Sequence, residues 1–207
     1  MFFLSVLELI GTAAFAVSGA ITAIRKEMDL LGICLMGIIT ACGGGVFRDL
    51  LLGSVPPVLF TRPVYAITAI AASLITFIPA IRTSPFLQAH HLDRIVFLAD
   101  AIGLGIFSTV GVRAVQSAGY GEHFFFSITL GVITGVGGGV LRDILAGDRP
   151  YIFVKHIYAC AALAGALVYY FAGRFLSVFP AMILGSLVTL MIRILAARYR
   201  WSLPKAR

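Results

Sequence analysis

One short sequence occurs twice in this chain, and both copies lie within strongly apolar segments. Residues 43–57 read GGGVFRDLLLGSVPP, and residues 137–150 read GGGVLRDILAGDRP. Adjacent glycines, an arginine and an aspartate are all unfavourable in a membrane-spanning helix. Because this costly sequence recurs at matching positions, we interpret both copies as parts of a permeation or transport path.

The composition predicts an integral membrane protein. The chain has 207 residues, of which 60% are hydrophobic and 12% are charged, whereas soluble domains are about 25% charged. The apolar residues come in runs of roughly 20, the length that crosses a bilayer core. The net charge of +7 does not indicate a nucleic-acid partner, because the basic residues lie at segment ends and not on one face.

The apolar segments predict an all-α membrane protein with seven transmembrane helices, at residues 3–23, 30–52, 64–81, 95–114, 124–146, 157–173 and 178–197. With the N-terminus outside, 11 of the lysines and arginines fall on the inside and 3 on the outside. Since basic residues favour the cytoplasmic side, we expect the N-terminus outside and the C-terminus inside. Residues 198–207 then form a basic cytoplasmic tail that is attracted to anionic lipid headgroups.

The repeated sequence belongs to a longer internal repeat. At an offset of 94 residues, Gly43, Gly44 and Gly45 align with Gly137, Gly138 and Gly139. Upstream the offset is 92, and Glu8 aligns with Asp100. Each copy contains three spans, so the second copy enters the membrane from the opposite side. The sequence therefore predicts a first three-helix repeat at residues 1–81, a second, inverted repeat at 92–175 and a seventh helix at 178–197.

The glycine triplets have two interpretations. Each glycine weakens a helix by roughly 1 kcal/mol relative to alanine and permits a kink. In lipid such a break requires a neighbouring helix or a wet cavity, so we expect kinks that line a pore, with Thr40 and Thr134 beside them. The alternative is that the glycines only permit close helix packing and the threonines only bond to helix carbonyls.

The ionisable residues of the repeated segments form a candidate charge network: Glu8, Arg48, Asp49, Asp100, Arg142 and Asp143. Ionisable groups at membrane depth face the bundle interior or water, and they pair. We predict that each arginine binds a carboxylate from another helix, either as a structural clamp or in the pore. Four acids against two arginines leave a negative excess, which favours cations if these groups line one path.

No arrangement of side chains in the sequence indicates catalysis or a metal site. We find no nucleophile–base constellation, and the glycine motif lacks the GK[ST] of a phosphate-binding loop. We therefore expect neither an enzyme nor a cofactor. A channel, a secondary transporter of a small amino acid such as glycine, and a membrane scaffold all remain open.

Two copies of GGGxxRDxL in a seven-span chain of about 200 residues resemble the bacterial trimeric intracellular cation channels, a family whose repeated domain is also labelled a glycine transporter domain. The resemblance covers about residues 5–197. It implies a homotrimer in the bacterial cytoplasmic membrane, in which spans two and five of each protomer line an hourglass-shaped pore. It also implies K⁺ as the permeant ion, with Na⁺ passing as well.

Overall fold

The computed structural model describes residues 2–78, 89–154 and 157–201, and its regular elements are all helical. The helices are α1 (Phe2–Arg25), α2 (Leu30–Leu51), α3 (Val58–Thr61), α4 (Val64–Phe77), α5 (Ala89–Val115), α6 (Phe124–Leu145), α7 (Tyr151–Val154), α8 (Tyr158–Ala172) and α9 (Val178–Arg198). A π-helical turn, Gln116–Tyr120, follows α5. The all-α class is therefore confirmed.

Helices α1, α2, α5, α6 and α9 are long and apolar enough to cross a membrane. Helices α4 and α8 are apolar but shorter, with 14 and 15 residues. Both coincide with predicted spans, although residues 79–81 of the predicted third span lie outside the described residues. So do residues 202–207 of the predicted basic tail.

Some boundaries differ from the sequence prediction. Helix α5 begins at Ala89, six residues before the predicted fourth span, because polar residues at its start do not stop the helix from forming. The one-turn helices α3 and α7 were not predicted, since four residues are too few to show a hydrophobic period.

Helices α2 and α6 end in the same way, as their repeated sequence requires. Gly53 and Gly147 adopt positive φ angles of 70° and 71° just after the helices, a conformation that glycine tolerates without steric cost. The amides of Ser54 and Asp148 donate back to the carbonyls of Asp49 and Asp143, at 2.8 and 2.9 Å. Both glycines therefore terminate a helix and turn the chain towards the next one-turn helix.

The glycine triplets bring α2 and α6 into backbone contact. A Cβ atom at Gly44 would collide with the carbonyl oxygen of Thr134, and one at Gly138 would collide with that of Thr40. A Cβ atom at Gly137 would lie 2.9 Å from the Cα atom of Gly44. Only glycine permits two helices to approach this closely, so at these positions the packing interpretation is confirmed.

Helices α2 and α6 are not broken at their triplets, and the expected kinks stay a prediction. Both helices continue through their triplets, α2 from Leu30 to Leu51 and α6 from Phe124 to Leu145. A favourable crossing offsets the intrinsic cost of the glycines, because the absent side chains allow extensive contact between the two backbones. That these glycines line a pore stays a prediction.

Helix α5 lies at the centre of the bundle and packs against α1, α6, α8 and α9. Ion pairs define the ends of this bundle. Arg25, at the end of α1, binds Asp93 at 2.8 Å, and the next residue, Lys26, binds Asp148 beyond α6 at 2.7 Å. Near the start of α1, Glu8 instead pairs with Arg113 at the far end of α5. Glu8 also shares a cavity with Arg48, which lies near the end of α2. The C-terminal ends of α2 and α6 therefore lie at opposite ends of the bundle.

Candidate functional site

Both repeated Arg-Asp pairs have the same local structure. The Nε atom of Arg48 donates to Oδ1 of Asp49 at 2.8 Å, and that of Arg142 donates to Oδ1 of Asp143 at 2.9 Å. The second oxygen of each aspartate accepts from the first backbone amide of the next one-turn helix, at 2.8 Å in both cases. Each aspartate therefore joins its own arginine to the following helix, although the two side chains are adjacent in sequence.

One pair is part of a buried group of ionisable side chains that we name the Asp100 cluster, consisting of Asp100, Arg142, Asp143, Tyr158 and Arg193. The Nη1 atom of Arg142 donates to Oδ1 of Asp100 at 2.7 Å. It also donates to the hydroxyl of Ser18 on α1 at 2.5 Å. Asp100 and Arg142 are both 0% exposed, so this cluster depends on its own hydrogen bonds and ion pairs for compensation.

Arg193 supplies a second guanidinium to the same carboxylate. Its Nη2 atom lies 3.8 Å from Oδ2 of Asp100, and Arg193 is 1% exposed. The guanidinium carbon lies 4.7 Å from the ring centre of Tyr158 and 4.8 Å from that of Phe97. Both rings offer negatively charged faces to the cation. Helix α9 therefore contributes a structural partner to the repeat, although Arg193 lies outside the repeated motif.

The other pair belongs to the Glu8 cluster, which consists of Glu8, Arg48, Asp49, Tyr65 and Arg113. Glu8 accepts a short hydrogen bond from the hydroxyl of Tyr65 on α4. Its other oxygen lies 3.4 Å from Nη1 of Arg113 at the end of α5. Glu8 is the repeat counterpart of Asp100, yet the arginine it meets comes from α5 and not from the repeated motif.

The Glu8 cluster lines a cavity of about 520 Å³ between α1, α2, α4 and α5. Its polar lining includes all five residues of the cluster and Arg62. It extends one turn further along α1 and α2, to Thr12 and Gly45, where Phe107 of α5 also contributes to the wall. This volume is within the range of small-molecule sites in proteins.

The predicted pairing of each arginine with another helix holds for Arg142 and is wrong for Arg48. Arg142 binds Asp100 of α5, whereas the ion-pair partner of Arg48 is its neighbour Asp49 at 2.7 Å. Glu8, the repeat counterpart of Asp100, has Arg113 of α5 as its ion-pair partner, at 3.4 Å.

The predicted negative excess is also wrong for the described residues. The two clusters contain four carboxylates and four guanidinium groups: Glu8, Asp49, Asp100 and Asp143 against Arg48, Arg113, Arg142 and Arg193. Arg113 and Arg193 lie outside the repeated motif and were not counted in the predicted charge network. The net charge of these groups therefore does not favour cations.

The repeated threonines bond to their own helices. The hydroxyls of Thr40 and Thr134 donate to the carbonyls four residues earlier, each at 2.6 Å, and both side chains are buried. A Cβ atom at Gly19 would lie 2.5 Å from the hydroxyl of Thr40, and one at the repeat-related Gly111 would lie 2.6 Å from that of Thr134. The bonding of both threonines to helix carbonyls is therefore confirmed, and their position beside a pore stays a prediction.

Tyr65 and Tyr158 were not predicted from the sequence as part of either cluster. Their separation of 93 residues lies between the two offsets of the repeat, so a longer alignment would have identified them. Tyr65 reaches Glu8, and the hydroxyl of Tyr158 donates to Asp100 at 3.3 Å. Arg193 has no counterpart in the repeat, and its sole signal is a charged residue in an apolar segment.

Comparison with known proteins identifies the family. The model of a family described as "Glycine transporter" matches residues 5–80 and, a second time, residues 97–174. The chain belongs to this family. The inner membrane protein YadS of Escherichia coli, a UPF0126 protein, is 36% identical over 200 residues, which are 96% of this chain and 93% of YadS.

Solved structures of TRIC cation channels have the same fold. One, from work on conductance through these channels, is 40% identical, covers 98% of this chain and 97% of its own, and gives a TM-score of 0.82. The TRIC trimeric intracellular cation channel orthologue from Rhodobacter sphaeroides is 31% identical, covers 97% and 100%, and gives a TM-score of 0.87. The family resemblance expected from the doubled motif is therefore confirmed.

Proposed function

We propose that this protein is a passive, K⁺-permeable channel for monovalent cations, with one pore in each protomer of a homotrimer. The observation that carries the proposal is the likeness, over 98% of the chain at 40% identity, to a TRIC cation channel. A second solved relative is described as trimeric. Na⁺ is expected to pass as well.

The proposed architecture has seven spans, arranged as two inverted three-helix repeats and a seventh helix. It is supported by the double match of the family model and by the position of the two Arg-Asp pairs at opposite ends of the bundle. The charge asymmetry of the sequence favours an outside N-terminus and an inside C-terminus in a bacterial cytoplasmic membrane.

The Glu8 cavity is the proposed entrance of the permeation path. It is lined by charged and hydroxyl groups and extends along α2 to Gly45. The backbone contact between Gly44 and Gly138 prevents passage directly between α2 and α6 at that level. We infer that the path runs beside this crossing, along α1 and α5, and that the buried Asp100 cluster occupies its other end.

Cation selectivity in this proposal depends on local oxygen atoms and not on net charge. Carboxylates do not outnumber guanidinium groups, because the two clusters contain four of each and Arg62 adds one more guanidinium to the lining of the Glu8 cavity. Backbone carbonyls and hydroxyls can replace the hydration shell of a monovalent cation. Thr12 and the carboxylate of Glu8 supply such oxygens along the cavity.

Planar-bilayer recording of the purified protein tests this function. Discrete currents that reverse near the K⁺ equilibrium potential in a KCl gradient are expected, and mass measurement in detergent should give three protomers. Saturable glycine uptake by proteoliposomes without such currents would instead support a transporter. If neither activity occurs, the proposal is wrong.

Cys42 offers a direct test of the entrance. It lines the cavity, and its modification by a cationic methanethiosulfonate should reduce K⁺ current in a variant that lacks Cys34 and Cys160. The matched control also carries Cys42→Ser and should not respond. An unaffected current despite complete labelling of Cys42 would exclude the cavity from the path.

A further inference from the structure

The two repeated arginines differ in the partner of the Nη1 atom of the guanidinium group. In Arg142, Nε and Nη2 bind Asp143, and Nη1 donates to Asp100 at 2.7 Å. In Arg48, Nε and Nη2 bind Asp49 in the same way, at 2.8 and 2.7 Å. Among residues 2–78, 89–154 and 157–201, Asp49 is the sole ion-pair partner of Arg48, so no carboxylate occupies the position that Asp100 takes on Arg142.

Arg48, whose Nη1 atom has no carboxylate partner among the described residues, lies in the wall of the Glu8 cavity. Arg48 lines this cavity although the residue is only 9% exposed. A guanidinium group has five N–H donors in a fixed fork, and this fork matches a carboxylate. A buried arginine beside a cavity of about 520 Å³ can therefore bind a small acid.

The charges of the cavity favour an anion with a single negative charge. Among the residues that the structure describes, Arg48, Arg62 and Arg113 line it together with two carboxylates, those of Glu8 and Asp49. The carboxylate of Glu8 is already bonded to Tyr65 and Arg113. The lining thus has one more guanidinium group than carboxylates, and the negative charge of a bound monocarboxylate would balance it.

We propose that the Glu8 cavity is a binding site for a small monocarboxylate, which accepts a hydrogen bond from Nη1 of Arg48. In the second repeat the equivalent contact is made within the protein, where Nη1 of Arg142 donates to Oδ1 of Asp100. Binding does not depend on the proposed channel activity, and it can be measured on the purified protein in detergent.

Saturation-transfer NMR with acetate tests the site directly on the full chain at constant ionic strength. Acetate should receive saturation from the protein, whereas methylammonium, which has a similar size and the opposite charge, should not. Excess unlabelled propionate should compete with acetate. Equal transfer to methylammonium, or no transfer to acetate at millimolar concentration, would overturn the proposal.

Matched variants show whether Arg48 carries the binding. Arg48→Gln should weaken acetate binding about tenfold or more, the usual effect of losing a charge-assisted hydrogen bond. Arg62→Gln removes the same charge from an exposed position of the same cavity and should weaken binding less than about threefold. Equal losses of affinity in the two variants would mean that acetate responds only to the overall positive charge of the cavity, and the proposed site would be wrong.

Gly45 provides a variant that leaves the charges intact. Gly45 lines the cavity, and a Cβ atom there would meet Nη2 of Arg48 at 3.7 Å, an ordinary contact, so Gly45→Leu directs a larger side chain into the cavity beside the guanidinium. Acetate binding should be lost because the leucine takes up the space that the acid needs. This variant decides the question if Arg48→Gln fails to fold, and undiminished binding in Gly45→Leu would contradict the proposal.

Discussion

The Asp100 and Glu8 clusters arise from the same repeated sequence, but their surroundings differ. Both contain an Arg-Asp pair, an acid from the preceding repeat helix and a tyrosine from the following one. The first has Arg193 from α9 over its carboxylate and is buried. The second has Arg113 from α5 and lines a cavity. The repeat therefore determines the local hydrogen bonds, whereas helices outside the motif determine whether the site is open.

Replacing the central acid of each cluster should give the largest difference. Asp100→Asn leaves Arg142 and Arg193 buried with one carboxylate fewer, and we expect it to destabilise the protein by about 3–5 kcal/mol. Glu8→Gln should cost about 1 kcal/mol or less, because water in the cavity screens the lost pair. At about 2–4 °C per kcal/mol for a chain of this size, thermal unfolding in detergent resolves the two. Equal shifts would mean that burial does not distinguish the clusters.

The glycines give the next largest effect. Gly138→Ala directs a methyl group at the carbonyl of Thr40 and should destabilise the protein by about 1–3 kcal/mol, as overpacking does. Gly45→Ala meets only an ordinary contact and should be neutral or stabilising by up to about 1 kcal/mol. The unfolding midpoints of the two variants measure this. Similar midpoints would show that α2 and α6 do not depend on their close crossing.

Much of the fold could be predicted from the sequence, because membrane helices have a strong signal in length and hydrophobicity. The seven predicted segments coincide with seven helices of the described structure. The doubled motif also identified the family, and the expectation that Arg142 binds a carboxylate of another helix is confirmed by its pairing with Asp100. One-turn helices such as α3 and α7 have no such signal and were missed.

The partners of Arg48 and Glu8 could not be predicted in the same way. A repeat aligns Glu8 with Asp100 but does not show that the arginine beside Glu8 is Arg113 of α5. The glycine triplets had two physical interpretations, and only the position of Thr134 opposite Gly44 decides for packing at that residue. Tertiary contacts decide both questions, and a single sequence does not contain them.

The tyrosines should show a smaller difference in the same direction. Tyr158→Phe removes a hydrogen bond of 3.3 Å to buried Asp100, and we expect a loss of about 1–2 kcal/mol because no water replaces it. Tyr65→Phe exposes Glu8 to a cavity that can hydrate it, so about 0.5 kcal/mol is expected. Chemical unfolding measures both. A larger loss for Tyr65→Phe would indicate that the Glu8 cluster is as dry as the other.

The exposed ion pairs beyond the Asp100 cluster should have the smallest effect. Lys26 binds Asp148 at 2.7 Å, but the side chains are 37% and 50% exposed. A surface pair of this kind contributes about 0.2–1 kcal/mol, and salt screens it within about 10 Å at 0.1 M. Asp148→Asn should therefore lower the unfolding midpoint slightly at 50 mM salt and not at 500 mM. A shift that persists at high salt would show that this pair is shielded from water, and the boundary of the buried cluster would then extend beyond Asp100 to the end of the bundle.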